Sequence, residues 1–186
     1  MDYSQALREL YFMQQTYANF FTVTNKLQMQ GDTYFEKLTS RQYMIMLAIA
    51  HLSEDETTLI NISRKMETSK QSAQKLIANL ESKGYLVSMP NKRDKRAINV
   101  AITESGRKVM VECGEKAVRL MADTFQEFTT EELEILWTLL KKLHSKDNEN
   151  QPGFEEDVNY KFDDLQGFQE VQIRALDHFI ARRKHL

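Results

Sequence analysis

Proline occurs only twice in the 186 residues, at positions 90 and 152, glycine six times and cysteine once. With so few breakers, little interrupts long helices. The single Cys113 excludes an internal disulfide and fits a reducing compartment. The longest uncharged apolar run, "YMIMLAIAHL", is about half the length of a membrane span. The opening "MDYSQALREL" has no basic region leading into an apolar stretch, so neither a secretory signal nor a membrane partner is expected, and the reading is cytoplasmic. There is no Gly-rich phosphate loop and no nucleophile motif, which argues against an enzyme. His51, His144, His178 and His185 are scattered without zinc-like Cys/His spacing. No cofactor or metal is therefore expected, although a His–carboxylate site assembled in three dimensions stays open.

What is present is a globular composition, 41% hydrophobic and 28% charged. The net charge of -2 hides an uneven distribution. From Arg64 to Lys108 there are 11 basic and 4 acidic residues, a local +7, whereas the remainder holds 14 basic and 23 acidic. Charge gathered in this way marks either a polyanion-binding surface or a solvated basic face without a partner.

Apolar spacing predicts a long first helix over 4–29, with Gly31 as its stop and a belt too wide for one stripe. Thr39 and Gln42 have capping-box spacing ahead of a buried helix ending at Leu52. After the charged link "SEDET" come a short helix at 59–66, a turn, and a helix from Ser69 to about Lys83 with Ser69 as N-cap. In that last helix Ala73, Leu76, Ile77 and Leu80 form the apolar stripe. Lys70, Gln71, Gln74 and Lys75 fall on the other side, and Gly84 ends the helix. "YLVSMP" and "RAINVAIT" read as strands around the basic loop "NKRDK". Thr103 caps a helix over 104–126, and Thr129 with Glu132 begins another that reaches about Ser145, carrying Leu133, Leu136, Trp137, Leu140 and Leu143. A polar, acidic link leads to a last amphipathic helix over 164–183, with Leu165, Phe168, Leu176, Phe179 and Ile180.

The expected fold class is mainly α with a small β-hairpin: a winged helix-turn-helix over 36–103, flanked by helical dimerisation regions at 1–30 and 104–146. Residues 147–186 form an acidic linker and a C-terminal helix. This order resembles the MarR family of bacterial winged-helix transcriptional regulators over residues 5–146. The most specific stretch is "DKRAINVAITESG", where Asp94, Arg96, Thr103 and Gly106 stand in the family's positions, supported by "TSKQSAQKLIANLESKGYL" as the recognition helix and its exit. Two features depart from the pattern: Glu67 stands where the turn often has Gly, and the tail beyond 149 has no counterpart.

The resemblance implies that Arg96 reaches into a minor groove and that Asp94 shapes the wing by pairing with an Arg. Lys92, Arg93 and Lys95 would meet phosphates. Gln71 and Gln74 have the chemistry to read adenine edges, Lys70, Ser72 and Lys75 suit bases or backbone, and the Ser69 end offers amides to phosphate. The family's organic-hydroperoxide sensors carry a reactive Cys near the N-terminus, where this chain has none, so Cys113 is read as a packing residue. The expected partners are double-stranded DNA with a pseudo-palindromic operator, a second copy of the chain, and a small apolar or aromatic effector suited to Met and Phe lining. The favoured function is a ligand-responsive homodimeric repressor. The alternative is a winged-helix protein-interaction module that uses its acidic tail. The tail helix is expected to pack on the dimerisation helices.

Overall fold

The structure, a computed structural model, describes residues 2–91, 97–144, 154 and 168–183. Seven helices and one hairpin are present among them: α1 (Tyr3–Phe35), α2 (Ser40–His51), α3 (Leu59–Lys65), α4 (Lys70–Ser82), β1 (Leu86–Pro90), β2 (Ile98–Ile102), α5 (Glu104–Thr124), α6 (Thr130–His144) and α7 (Phe168–Arg183). A single turn of 3-10 helix, Glu54–Glu56, lies between α2 and α3.

The helix starts follow their caps. Asp2 accepts from the Gln5 amide at 2.8 Å. Thr39 and Gln42 close a reciprocal capping box at α2, and Thr129 and Glu132 another at α6, with bonds of 2.9 and 3.2 Å. The first helix, however, does not stop at Gly31. It runs on to Phe35, and the chain breaks out at Glu36, φ 53. Gly31 is needed for a different reason: a Cβ there would meet Ser40 Oγ at 2.2 Å. The missing side chain lets the start of α2 lie on α1, where Ser40 Oγ donates to the Gln28 carbonyl at 2.9 Å.

Phe35, Ile45, Met46, Ile62, Leu80 and Cys113 belong to the core, which joins α1, α2, α3, α4 and α5 under the hairpin. The Cys113 thiol is fully buried and touches the Phe35 carbonyl at 3.8 Å. Burial pushes its pKa up to about 11, because the thiolate would lose its hydration. Cys113 is thus a packing residue, as read from the sequence.

Two segments leave this core. Along α1, residues 3–26 bury nothing, and α6 buries nothing at all, so Tyr11, Phe21, Trp137, Leu140 and many neighbours face outward. Helix α7, in contrast, packs along α5. Arg174 faces Glu115 at 3.5 Å and Arg182 faces Asp123 at 3.2 Å, so the two helices run in the same direction. The line turned inward is Val171, Ala175 and Phe179, with Ala175 buried and the other two half-buried. Leu176, expected in it, is 58% exposed. Leu165 and the Phe168 side chain lie outside the described residues.

Candidate nucleic-acid interface

Helices α3 and α4 form the helix-turn-helix, and the turn between them is fixed by backbone bonds. The amide of Glu67 donates to the Arg64 carbonyl at 2.9 Å and that of Thr68 to the Ser63 carbonyl at 3.0 Å. This pair of bonds is a Schellman motif, which requires a left-handed residue between them. That residue is Glu67, φ 45. The same motif ends α4, where Gly84 holds φ 74 and the bonds are Gly84 to Glu81, 2.8 Å, and Tyr85 to Leu80, 3.0 Å. The two turns are alike in backbone and differ in side chain. Glu67 therefore costs about 1 kcal/mol that Gly84 avoids.

Ser69 caps α4 as expected. Its hydroxyl accepts from the Ser72 amide at 3.1 Å and donates to Ser72 Oγ at 2.9 Å. Ser72 is half-buried and engaged in the cap. Lys70, Gln71, Gln74 and Lys75 are exposed. Among the described residues, none hydrogen-bonds or ion-pairs with these four side chains. Behind them Ala73, Ile77 and Leu80 are buried, which fixes the rotation of the helix about its axis.

The far end of α4 is tied to α2 through Gln42. Its Nε2 donates to Asn79 Oδ1 at 2.6 Å. Its Oε1 accepts from the Thr39 amide at 3.1 Å and from Lys83 Nζ at 3.1 Å. Lys83 also reaches the Lys37 carbonyl at 3.1 Å. The spacing of Gln42 from Thr39 reveals its capping role, but its second role depends on a residue 37 positions away and has no local signal.

The hairpin pairs Leu86 with Ile102 through Pro90 with Ile98, antiparallel. Lys92, Arg93, Asp94, Lys95 and Arg96 lie outside the described residues, but the base from which they leave is well defined. Asn91 and Asn99 are both buried. Asn91 Nδ2 donates to the Asp55 carbonyl at 2.9 Å and to Asn99 Oδ1 at 3.0 Å, and Asn99 Nδ2 donates to the Glu54 carbonyl at 2.7 Å. The Val100 amide donates to the Thr57 carbonyl at 2.9 Å. The wing base is thus riveted to the 3-10 turn by two amide side chains that sequence reasoning missed. The signal was available: an Asn in an otherwise apolar strand, "INVAI", has to find partners if it points inward.

Among the described residues there is no group of three or more His, Cys, Asp or Glu able to hold a metal. No described helix is long and apolar enough to cross a membrane.

Residues 37–97 match the family model described as "MarR family". Over 87 residues the sequence is 31% identical to the HTH-type transcriptional regulator SarZ of Staphylococcus haemolyticus, a stretch that covers 45% of this chain and 58% of that relative. The fold is similar to that of S. aureus MepR, solved in complex with DNA, with a TM-score of 0.60 at 19% identity, covering 78% of this chain and 98% of that one. It is likewise similar to the organohalide-sensing transcriptional regulator RdhR in its 2,4-dichlorophenol-bound form, TM-score 0.64 at 15% identity, covering 81% of this chain and 90% of that one.

Proposed function

We propose that the chain is a MarR-family regulator, a reading supported by the family match over residues 37–97 and the similarity to SarZ, and that it is a homodimeric repressor that binds double-stranded DNA and releases it on binding a small molecule. The observation that carries this reading is the outward face of α4. Four polar or basic side chains stand free at the N-terminal end of a helix whose opposite face and far end are locked into the core. A helix so presented fits a major groove, where Gln71 and Gln74 can pair with adenine and Lys70 and Lys75 with guanine or phosphate. The amides at Ser69 suit a phosphate. Lys92, Arg93 and Lys95 add phosphate contacts from the wing, Arg96 enters the minor groove, and Asp94 orients an Arg.

Dimerisation follows from the two outward segments. Each large apolar side chain moved out of water contributes on the order of 1.5–3 kcal/mol. Tyr11, Phe12, Tyr17 and Phe21 of α1 and Ile135, Trp137, Leu139, Leu140 and Leu143 of α6 are all exposed in the single chain. A second copy that covers α1 and α6 with its own makes a large apolar interface and sets two α4 helices on one side of the dimer. The half-sites are then about 10 bp apart in a pseudo-palindrome. The dichlorophenol held by RdhR supports a small aromatic effector, which would act by changing the spacing of the two wings.

The test is selection of bound fragments from genomic DNA by the purified protein, followed by anisotropy titration against salt. The expected slope of log K against log salt is about -5 or steeper, from six or more phosphate contacts per dimer. Arg96→Ala should weaken sites with A·T-rich flanks most, and Gln71→Ala should relax base choice by about 1–3 kcal/mol for each base-edge hydrogen-bond pair it removes. Binding that does not vary with salt, or that treats all sequences alike in both variants, would refute the reading.

A further inference from the structure

The C-terminal helix does more than cover α5. A cavity of about 490 Å³ opens between α2, α5 and α7. Tyr43 and Leu47 line it from α2, Gly114 and Val118 from α5, and Ala175 and Phe179 from α7. This volume lies in the range that accepts small organic ligands, roughly 300–1,000 Å³.

Gly114 is the second observation. It stands inside α5, where glycine costs about 1 kcal/mol relative to alanine. Packing does not demand it, since a Cβ there would lie 3.6 Å from Tyr43 Oη, an ordinary contact. What a larger residue at 114 would remove is cavity space. The third observation is how α7 is held. Arg183 donates to the Phe125 and Phe128 carbonyls at 2.8 and 2.7 Å, just past the end of α5, and Arg182 meets Asp123 nearby. Asp123 is anchored in turn by the Tyr34 hydroxyl of α1 at 2.6 Å. The polar clasp therefore fastens the last turn of α7, while its earlier turns lie over the cavity with apolar contacts and the Arg174–Glu115 pair, 3.5 Å. Among the described residues that line the cavity there is no Lys, Arg or His, and the Glu115 carboxylate is already met by Arg119 at 2.9 Å, so this lining offers no cation to an anionic ligand.

We propose that α7 is one wall of a binding site for an uncharged, mainly apolar molecule of one or two aromatic rings, seated against α2 and α5, so that occupancy of the site and docking of α7 are a single equilibrium. The tail then belongs to effector sensing: the ligand touches α2, which carries α4 through Gln42, and is retained by α7. This rests on the ligand-responsive part of the proposed function and not on DNA binding.

The test uses the full chain and the uncharged fluorophore N-phenyl-1-naphthylamine, without DNA. The parent should bind one probe per chain with enhanced fluorescence. Gly114→Leu, which fills the cavity, and Ala175→Glu, which sets a carboxylate against α5 beside Glu115, should each weaken binding at least tenfold, with far-UV circular dichroism confirming folded protein. Amide exchange across 168–183 in the parent, which needs no variant, should slow roughly tenfold at a probe concentration ten times its Kd. Absence of binding, unchanged affinity in the folded variants, or identical exchange of α7 with and without probe each overturns the proposal. Because DNA is absent, such a failure beside an intact DNA titration leaves the regulator standing. Loss of DNA binding alone would leave this site standing.

Discussion

Gly106→Ala adds a single methyl group in the first turn of α5, at a point where the backbone leaves no space. The new Cβ would lie 2.1 Å from the Tyr85 carbonyl oxygen and 2.9 Å from Ile102 Cγ2. The carbonyl cannot simply turn away, because it accepts from the Thr103 amide at 3.0 Å and faces Thr103 Oγ1 at 3.2 Å. Forcing an extra methyl into such a contact costs about 1–3 kcal/mol. Loosening the bonds at Tyr85 adds about 1 kcal/mol each. Against this, alanine gains up to about 1 kcal/mol over glycine in a helix. The net expectation is destabilisation by about 2–4 kcal/mol, or a Tm lowered by about 5–15 °C for a chain of this size. The same substitution at Gly114, where the Cβ has room at 3.6 Å, should raise stability by about 0.5–1 kcal/mol. Thermal and urea melts by circular dichroism at one fixed protein concentration measure both, since the proposed dimerisation would make Tm depend on concentration. If Gly106→Ala melted within about 2 °C of the parent, or if Gly114→Ala were the more damaging, close backbone approach would not be the reason for glycine at 106.

Ser69→Ala removes the hydroxyl that accepts from Ser72 at 3.1 Å, and should cost about 1 kcal/mol in urea melts; an unchanged midpoint would mean that the cap is idle. Cys113 should resist thiol reagents at pH 8 and react roughly 100-fold faster in denaturant. Since its folded pKa is raised to about 11 from an ordinary 9.0, its contribution to stability is fully present below pH 9 and is lost as pH rises through 11; rapid labelling of the native protein would contradict this. Trp137→Glu combined with Leu140→Glu should yield monomer in sedimentation at low micromolar concentration, where the parent is dimeric, and a parent that sediments as monomer would refute the interface.

The elements legible in the sequence are those whose physics is local. The caps at Ser69, Thr39, Thr103 and Thr129 each satisfy amides within three residues of themselves, so spacing alone reveals them. Gly84 is similar, because the left-handed end of α4 is a matter of one residue's backbone. The charge concentrated between Arg64 and Lys108 and the stripe of Ala73, Ile77 and Leu80 likewise determined, by pattern alone, that one side of α4 is core and the other is offered outward. Only the tertiary structure decided the rest. Gly31 looks like a helix stop in sequence, but it serves a neighbour nine positions on, Ser40, which no local rule can see. Asn91 and Asn99 join the wing base to Glu54 and Asp55 across 36 and 45 positions. In the tail, periodicity alone did not single out Val171, Ala175 and Phe179 as the line turned to α5. That choice was made by Glu115, Asp123 and the carbonyls beyond the end of α5, which accept the tail's arginines and so orient the helix. Contacts of this reach depend on which surfaces meet, and that becomes known only when the chain has folded.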